Sequence, residues 1–322
     1  MSAELQGLAD RIVDVDVAAG SAGSRAASVS APSRWLVRAR GFYELGKPNL
    51  SALVVVTAVI GFVLASAGPI DWVLLLHVTI GTWLSAFGAC GLNMVLEHEV
   101  DAKMSRTRQR PIPSGRVTVL QGLMLSVSAV VLGVAQLGLF VGTLPAVISL
   151  LTTAIYVLLY TPLKRRHGPL SVVVGAVPGA MPTLIGWSSV HDGLGLGGWL
   201  LFAVLFLWQF PHFLALAFLY QRDYAKAGFH FLPSAEEPAQ TGILIAAGCV
   251  VVTVASVLLF TAGFTGWLYG AGAIVAGVLF SAMGLRVAAE CSPARARAAF
   301  IASVTYLPLL FVFIVVDRLI IT

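Results

Sequence analysis

Residues 72–103 read WVLLLHVTIGTWLSAFGACGLNMVLEHEVDAK. The run Trp72–Leu96 carries no Asp, Glu, Lys or Arg and is long enough to cross a bilayer as a helix. It leaves its apolar stretch through Asn93, Glu97 and Asp101. Spaced i, i+4, i+8, these three drift by only roughly 80° around a helix and form one polar stripe.

Eight further uncharged segments surround that one. A window of helix-spanning length places them at Asn49–Gly68, Val117–Leu139, Leu144–Leu159, Leu170–Val190, Trp199–Leu219, Thr241–Thr261, Trp267–Met283 and Ala298–Val316. Apolar residues make up 58% of the chain and charged ones 11%, a balance no soluble fold could bury. The predicted class is therefore all-α: a polytopic bundle of about nine transmembrane helices around a central cavity opening to the cytoplasmic side. Cys90, Cys249 and Cys291 are too scattered for a CxxC pair or a disulfide framework.

Residues 1–46 differ from the rest. Ala, Ser and Gly dominate Ala18–Ala31, which predicts a disordered cytoplasmic tail before a membrane domain over 47–322. Trp35–Arg40 could lie on the membrane surface as a basic amphipathic segment or be a solvated charge run.

The net charge of +5 sits between the apolar runs, so it reads as topology rather than nucleic-acid binding. With a cytoplasmic N-terminus, every one of the 20 Lys and Arg residues except Arg318 falls on the inner side. The expected orientation is N-terminus in, C-terminus out. The second and sixth spans run in the same direction and end in charged residues at that face, which suggests two parallel four-helix repeats followed by a ninth span.

The stripe also asks for chemistry. Glu97 and Asp101 could simply balance neighbouring cations, but three ligand-type residues on one stripe favour a site. Carboxylates at the mouth of a bundle are costly unless a cation joins them. A hard divalent cation such as Mg²⁺ takes oxygen ligands and shares them with substrate phosphates. Lys103, Arg106, Arg108 and Arg110 follow immediately, a basic segment able to grip a diphosphate.

The sixth span supplies a second polar cluster, Trp208-Gln209-Phe210-Pro211-His212-Phe213, followed by Asp223 and Tyr224. Pro211 should kink the helix. His212 shares a helical face with Asp223, about 16 Å deeper along a continuous helix, and is expected to point into the same cavity. Helix packing is the plainer explanation for such a histidine; with Gln209 one turn away, substrate contact is favoured. Lys164, Arg165 and Arg166 add a basic loop at the same face, and Gly175–Pro182 would allow close helix approach.

From Leu45 to the last span the chain resembles the UbiA-type intramembrane prenyltransferases, in the branch that farnesylates protoheme IX. The resemblance rests on Asn93-x3-Glu97-x3-Asp101-x2-Met104-x-Arg106-Thr107-x2-Arg110-Pro111, on Trp208–Phe213 with Asp223-Tyr224, and on Tyr160–Arg165 with Gly175–Pro182 and Gly186-Trp187. It implies transfer of a farnesyl group from farnesyl diphosphate to a vinyl group of heme B, with addition of water, giving heme O. It also implies Mg²⁺ on Asn93, Glu97, Asp101 and Asp223, and phosphate contacts from Arg106, Arg110, Lys164 and Arg165. His212 and Gln209 would meet substrate. The bilayer is the expected setting, and the downstream heme A synthase a candidate partner. Glu97 stands where the wider family has Asp, and Ala227 leaves the second aspartate motif incomplete. The alternatives are a related prenyltransferase acting on a quinone or chlorophyll precursor, and a secondary transporter.

Overall fold

In the computed structural model, residues 34–104, 107–163, 168–220 and 238–321 are described. They form helices α1 (Arg34–Leu45), α2 (Pro48–Ala65), α3 (Trp72–Lys103), α4 (Val119–Phe140) and α5 (Thr143–Ala154), the last continuing through a π-helical turn, Ile155–Tyr160, to Leu163. Then come α6 (Gly168–Ser188), α7 (Gly195–Leu219), α8 (Pro238–Thr261), α9 (Trp267–Ala289) and α10 (Pro293–Ile321). Among the described residues, nine of these are long and apolar enough to cross a membrane. The chain is an all-α, multi-pass membrane protein.

Local chemistry sets where helices begin. Asp71 caps α3 by accepting from the Val73 and Leu74 amides at 3.0 and 2.9 Å. Thr118 and Gln121 form a reciprocal capping box on α4, and Pro48 opens α2 at a position where its missing N–H costs nothing. The first turn of α9 is completed from elsewhere in the chain: the Tyr269 amide donates to Asp317 Oδ2, 2.8 Å away on α10. That places a buried carboxylate at the positive end of a helix dipole.

Charges end a hydropathy window but not a helix. The fourth span, predicted to stop at Leu159, continues to Leu163. The ninth, predicted over Ala298–Val316, starts at Pro293 and takes Arg295 and Arg297 into its first turns. The second extends to Lys103, so its 32 residues rise roughly 48 Å and carry the polar stripe out of the apolar layer.

Packing is that of a membrane bundle. Large apolar side chains such as Leu120, Leu132, Val275 and Ile301 face outward, where lipid and not water surrounds them. Small residues sit at helix crossings: α2 meets α6 where a Cβ on Gly186 would collide with the Ala58 carbonyl and one on Gly61 with that of Thr183. The largest core joins α7, α8, α9 and α10 around Leu201, Leu205, Ile245, Tyr269 and Phe280. Its polar atoms are satisfied internally, with the Tyr306 hydroxyl on Ser256 Oγ at 2.9 Å and that of Tyr269 on the Ser256 carbonyl at 3.2 Å.

Candidate active site

Helices α2, α3, α5, α6, α7 and α8 surround a cavity of about 760 Å³. At one end lie Glu97, Asp101, Met104, Thr107 and Arg110; at the other, along the same helix, Ala86, Ser85 and Thr82. The wall between is aliphatic and aromatic, including Leu50, Val54, Phe210, Phe213 and Leu244. The cavity is thus amphipathic along its length, with charge at one end and apolar surface inward.

Helical periodicity orients the stripe. Asn93, Glu97 and Asp101 are all buried, while Met94 and Val95 turn the other way and pack with Leu45 and Ile112. Glu97 and Asp101 line the cavity; Asn93 lies beside it, enclosed by hydrogen bonds. Its Oδ1 accepts from Lys47 Nζ at 2.7 Å, and its Nδ2 donates to Thr161 Oγ1 at 3.0 Å. The two partners come from different backbone settings. Lys47 has φ 46°, a left-handed conformation costly for any residue with a Cβ, at the turn between α1 and α2. Thr161 follows the π-helical turn, and its hydroxyl donates to the Tyr156 carbonyl at 2.9 Å, five residues back. The same turn stacks Tyr156 and Tyr160, 5.5 Å between ring centres, on the cavity wall.

The segment after α3 folds back over the stripe. Arg110 Nη1 donates to Asp101 Oδ2 at 2.6 Å, and Thr107 Oγ1 donates to the Asp101 carbonyl at 2.9 Å. A buried carboxylate with a guanidinium beside it is balanced in charge and can exchange that partner for another cation. Two buried carboxylates and a neighbouring amide are the oxygen donors that suit a hard divalent ion, which completes its shell with phosphate oxygens. Among the described residues no three His, Cys, Asp or Glu side chains converge on one point.

Comparison with known proteins gives the family. The UbiA prenyltransferase family matches residues 54–312, most of the chain. The chain belongs to the UbiA prenyltransferase family. The protoheme IX farnesyltransferase of Solibacter usitatus (strain Ellin6076) is 40% identical over 292 residues, covering 87% of this chain and 99% of that one. The digeranylgeranylglyceryl phosphate synthase structure superposes with a TM-score of 0.76 at 16% identity, over 87% of this chain and 98% of that one. A UbiA homolog from Archaeoglobus fulgidus, solved bound to GPP and Mg²⁺, gives 0.60 at 13% identity, over 85% of this chain and 99% of that one. UbiA membership removes the transporter alternative.

Within this UbiA-family fold the sixth-span cluster divides. Gln209 lines the cavity and bridges α7 to α6, its Nε2 donating to the Ala176 carbonyl at 3.0 Å. His212, expected to point inward, does not line the cavity. Its ring stacks between Trp208 and Phe300, at 4.7 and 4.9 Å, and its Nδ1 lies 2.8 Å from Ser303 Oγ on α10. The Ser303 hydroxyl also lies 2.6 Å from the Phe300 carbonyl, so it links the ring to the α10 backbone. The reason is rotational: with Gln209 and Phe213 facing the cavity, the intervening His212 falls on the α10 side. Arg106, Lys164, Arg165 and Asp223 lie outside the described residues. Lys47 and Thr161 are the site neighbours that sequence reasoning did not single out. Lys47 stands beside Pro48 at the mouth of a span, and Thr161 falls inside the Tyr160–Arg165 run that carried the resemblance, but the spacing of neither pointed to Asn93.

Proposed function

We propose that this chain transfers the farnesyl group of farnesyl diphosphate to a vinyl group of heme B, giving heme O. The C1–O bond of farnesyl diphosphate breaks, a new carbon–carbon bond forms to the outer vinyl carbon, and water adds at the inner one with loss of a proton. Diphosphate leaves. The observation that carries this reading is the 40% identity, over nearly its whole length, to a protein named protoheme IX farnesyltransferase. The amphipathic cavity supports it, since a prenyl diphosphate is itself charged at one end and apolar along the rest.

Glu97 and Asp101, with Asn93 beside them, would hold Mg²⁺, and Asp223 is proposed to join them. The ion, when bound, neutralises charge developing on the departing diphosphate. Arg110 stands at the carboxylates, able to turn from Asp101 to phosphate oxygens, and Arg106, Lys164 and Arg165 are proposed as further phosphate contacts. The apolar wall keeps bulk water from the allylic cation until the vinyl group meets it. Gln209 is proposed to meet substrate from the α7 side. The charged end is proposed to face the cytoplasm, with the N-terminus inside and the C-terminus outside, on the segregation of Lys and Arg. The heme A synthase that consumes the product is the partner to test.

Mass spectrometry of hemes from membranes expressing the chain, supplied with farnesyl diphosphate, tests the reading. A heme enlarged by a farnesyl group and a hydroxyl is expected; unaltered heme B with an intact, folded protein would refute it.

A further inference from the structure

Arg110 reaches Asp101 from a segment outside the bundle, Thr107–Val117, which has no regular secondary structure to aim it. Its own turns hold it in part, with the Arg110 amide donating to the Thr107 carbonyl at 2.9 Å and the Ser114 amide to that of Arg110 at 3.0 Å, and α1 adds a side-chain contact. Arg116 turns back across it: Nη2 donates to the Gln109 carbonyl at 2.7 Å and Nε to Ser114 Oγ at 3.1 Å. Its remaining nitrogen, Nη1, meets Glu44 Oε2 at 2.7 Å. The other oxygen of the same carboxylate takes Arg40 Nε at 2.8 Å. The helix is pressed against the segment beside this contact, since a Cβ on Gly41 would stand 3.1 Å from Val117 Cγ2 and 3.4 Å from Arg116 Cβ. Ile112, at its middle, and Val117, at its end, are buried and anchor it.

The carbonyl that Arg116 grips belongs to the peptide joining Gln109 to Arg110. Rotation of that peptide changes the direction in which the Arg110 side chain leaves the backbone. Glu44 in turn holds Arg116. Desolvation would raise the Glu44 carboxyl, but the hydrogen bonds from Arg116 and Arg40 outweigh it and hold the group below its ordinary range.

We propose that Glu44 and Arg116 are positioning residues for Arg110, forming a brace from α1 that aims its guanidinium at the carboxylate end of the cavity. Neither lines the cavity. The inference rests on reading the Asp101 end as the prenyl diphosphate site. It gives α1 a role in substrate capture in addition to packing. It also separates two ion pairs of similar length: Arg110–Asp101 acts at the site, and Arg116–Glu44 acts through it.

The test is a double-mutant cycle on the full chain in lipid nanodiscs, titrated with farnesyl diphosphate and Mg²⁺ in the absence of heme. Glu44→Gln is expected to weaken farnesyl diphosphate binding by about fivefold, and by less than about twofold when Arg110 is already Gln. Glu44→Asp, which keeps the charge, should restore most of the affinity. Arg116→Lys should match Glu44→Gln, because a single ammonium cannot hold Glu44 and the Gln109 carbonyl in the same fork geometry. An equal loss in both Arg110 backgrounds, or no loss with Glu44→Gln, would overturn the brace. The unmodified chain separates this from the function itself. If it binds farnesyl diphosphate but forms no enlarged heme, the acceptor is wrong and the cycle still decides the brace; if it does not bind at all, the diphosphate site is wrong and the brace falls with it.

Discussion

The side chains closest to the proposed chemistry differ in how their environment constrains them. Asp101 is buried with its charge matched by Arg110, and Glu97 is buried one turn deeper. Asp101→Asn and Glu97→Gln are each expected to lower Mg²⁺-dependent turnover by more than about tenfold, beyond the worth of an exposed ion pair, while leaving the folded chain in the membrane. Steady-state rates across a Mg²⁺ series would check this, and near-normal rates in both variants would reduce the stripe to a feature of topology. His212 belongs to a different category. Held between Trp208 and Phe300 with Nδ1 on Ser303, it ties α7 to α10. His212→Ala should cost about 1–2 kcal/mol of stability and leave farnesyl diphosphate affinity unchanged. Thermal unfolding measured beside a diphosphate titration reads both, and a fall in heme affinity alone would restore the histidine to the site. Residue types and spacing were enough to find the stripe in the sequence, because i, i+4, i+8 fixes a face whatever the helix packs against. The direction of His212 was not legible. It depends on the rotation of α7, which is set by contacts with α6 and α10 from distant parts of the chain.

Elements outlast the hydropathy that reveals them. The extension of α3 to Lys103 follows from its own sequence once charges are allowed at a helix end facing water. The π-helical turn at Ile155–Tyr160 does not follow from local sequence. Its apolar residues are equally compatible with an α-helix, and the tertiary bond from Asn93 to Thr161 accompanies the altered register. Thr161→Val keeps the shape and removes the hydroxyl, leaving the Asn93 amide without that acceptor. A loss of about 1 kcal/mol in stability and weaker Mg²⁺-dependent binding of farnesyl diphosphate are expected. Unchanged binding would mean that Lys47 alone holds Asn93. The left-handed backbone at Lys47 was equally hidden, since Lys-Pro at a span entrance predicts a helix start but not the conformation preceding it.

For the whole molecule, composition and span count were legible because the bilayer leaves a backbone few options, and the outward apolar faces agree. Orientation is the part still to be measured. Cys291, between α9 and α10, should react with an impermeant thiol reagent only from the cytoplasmic side, and Asp192→Cys only from the other. Burial raises the Cys291 thiol above its ordinary value, so its labelling should be slow at neutral pH and quicken as pH rises. Labelling of both from one side would reverse the assignment of faces. The Asp317 contact to the Tyr269 amide bears on biogenesis. During synthesis α9 enters the membrane before the residue that completes its first turn has left the ribosome, so that turn waits with an unsatisfied amide. A chain cut before Asp317 would keep all nine apolar segments nearly whole, yet the first turn of α9 would lack its acceptor and is expected to fray.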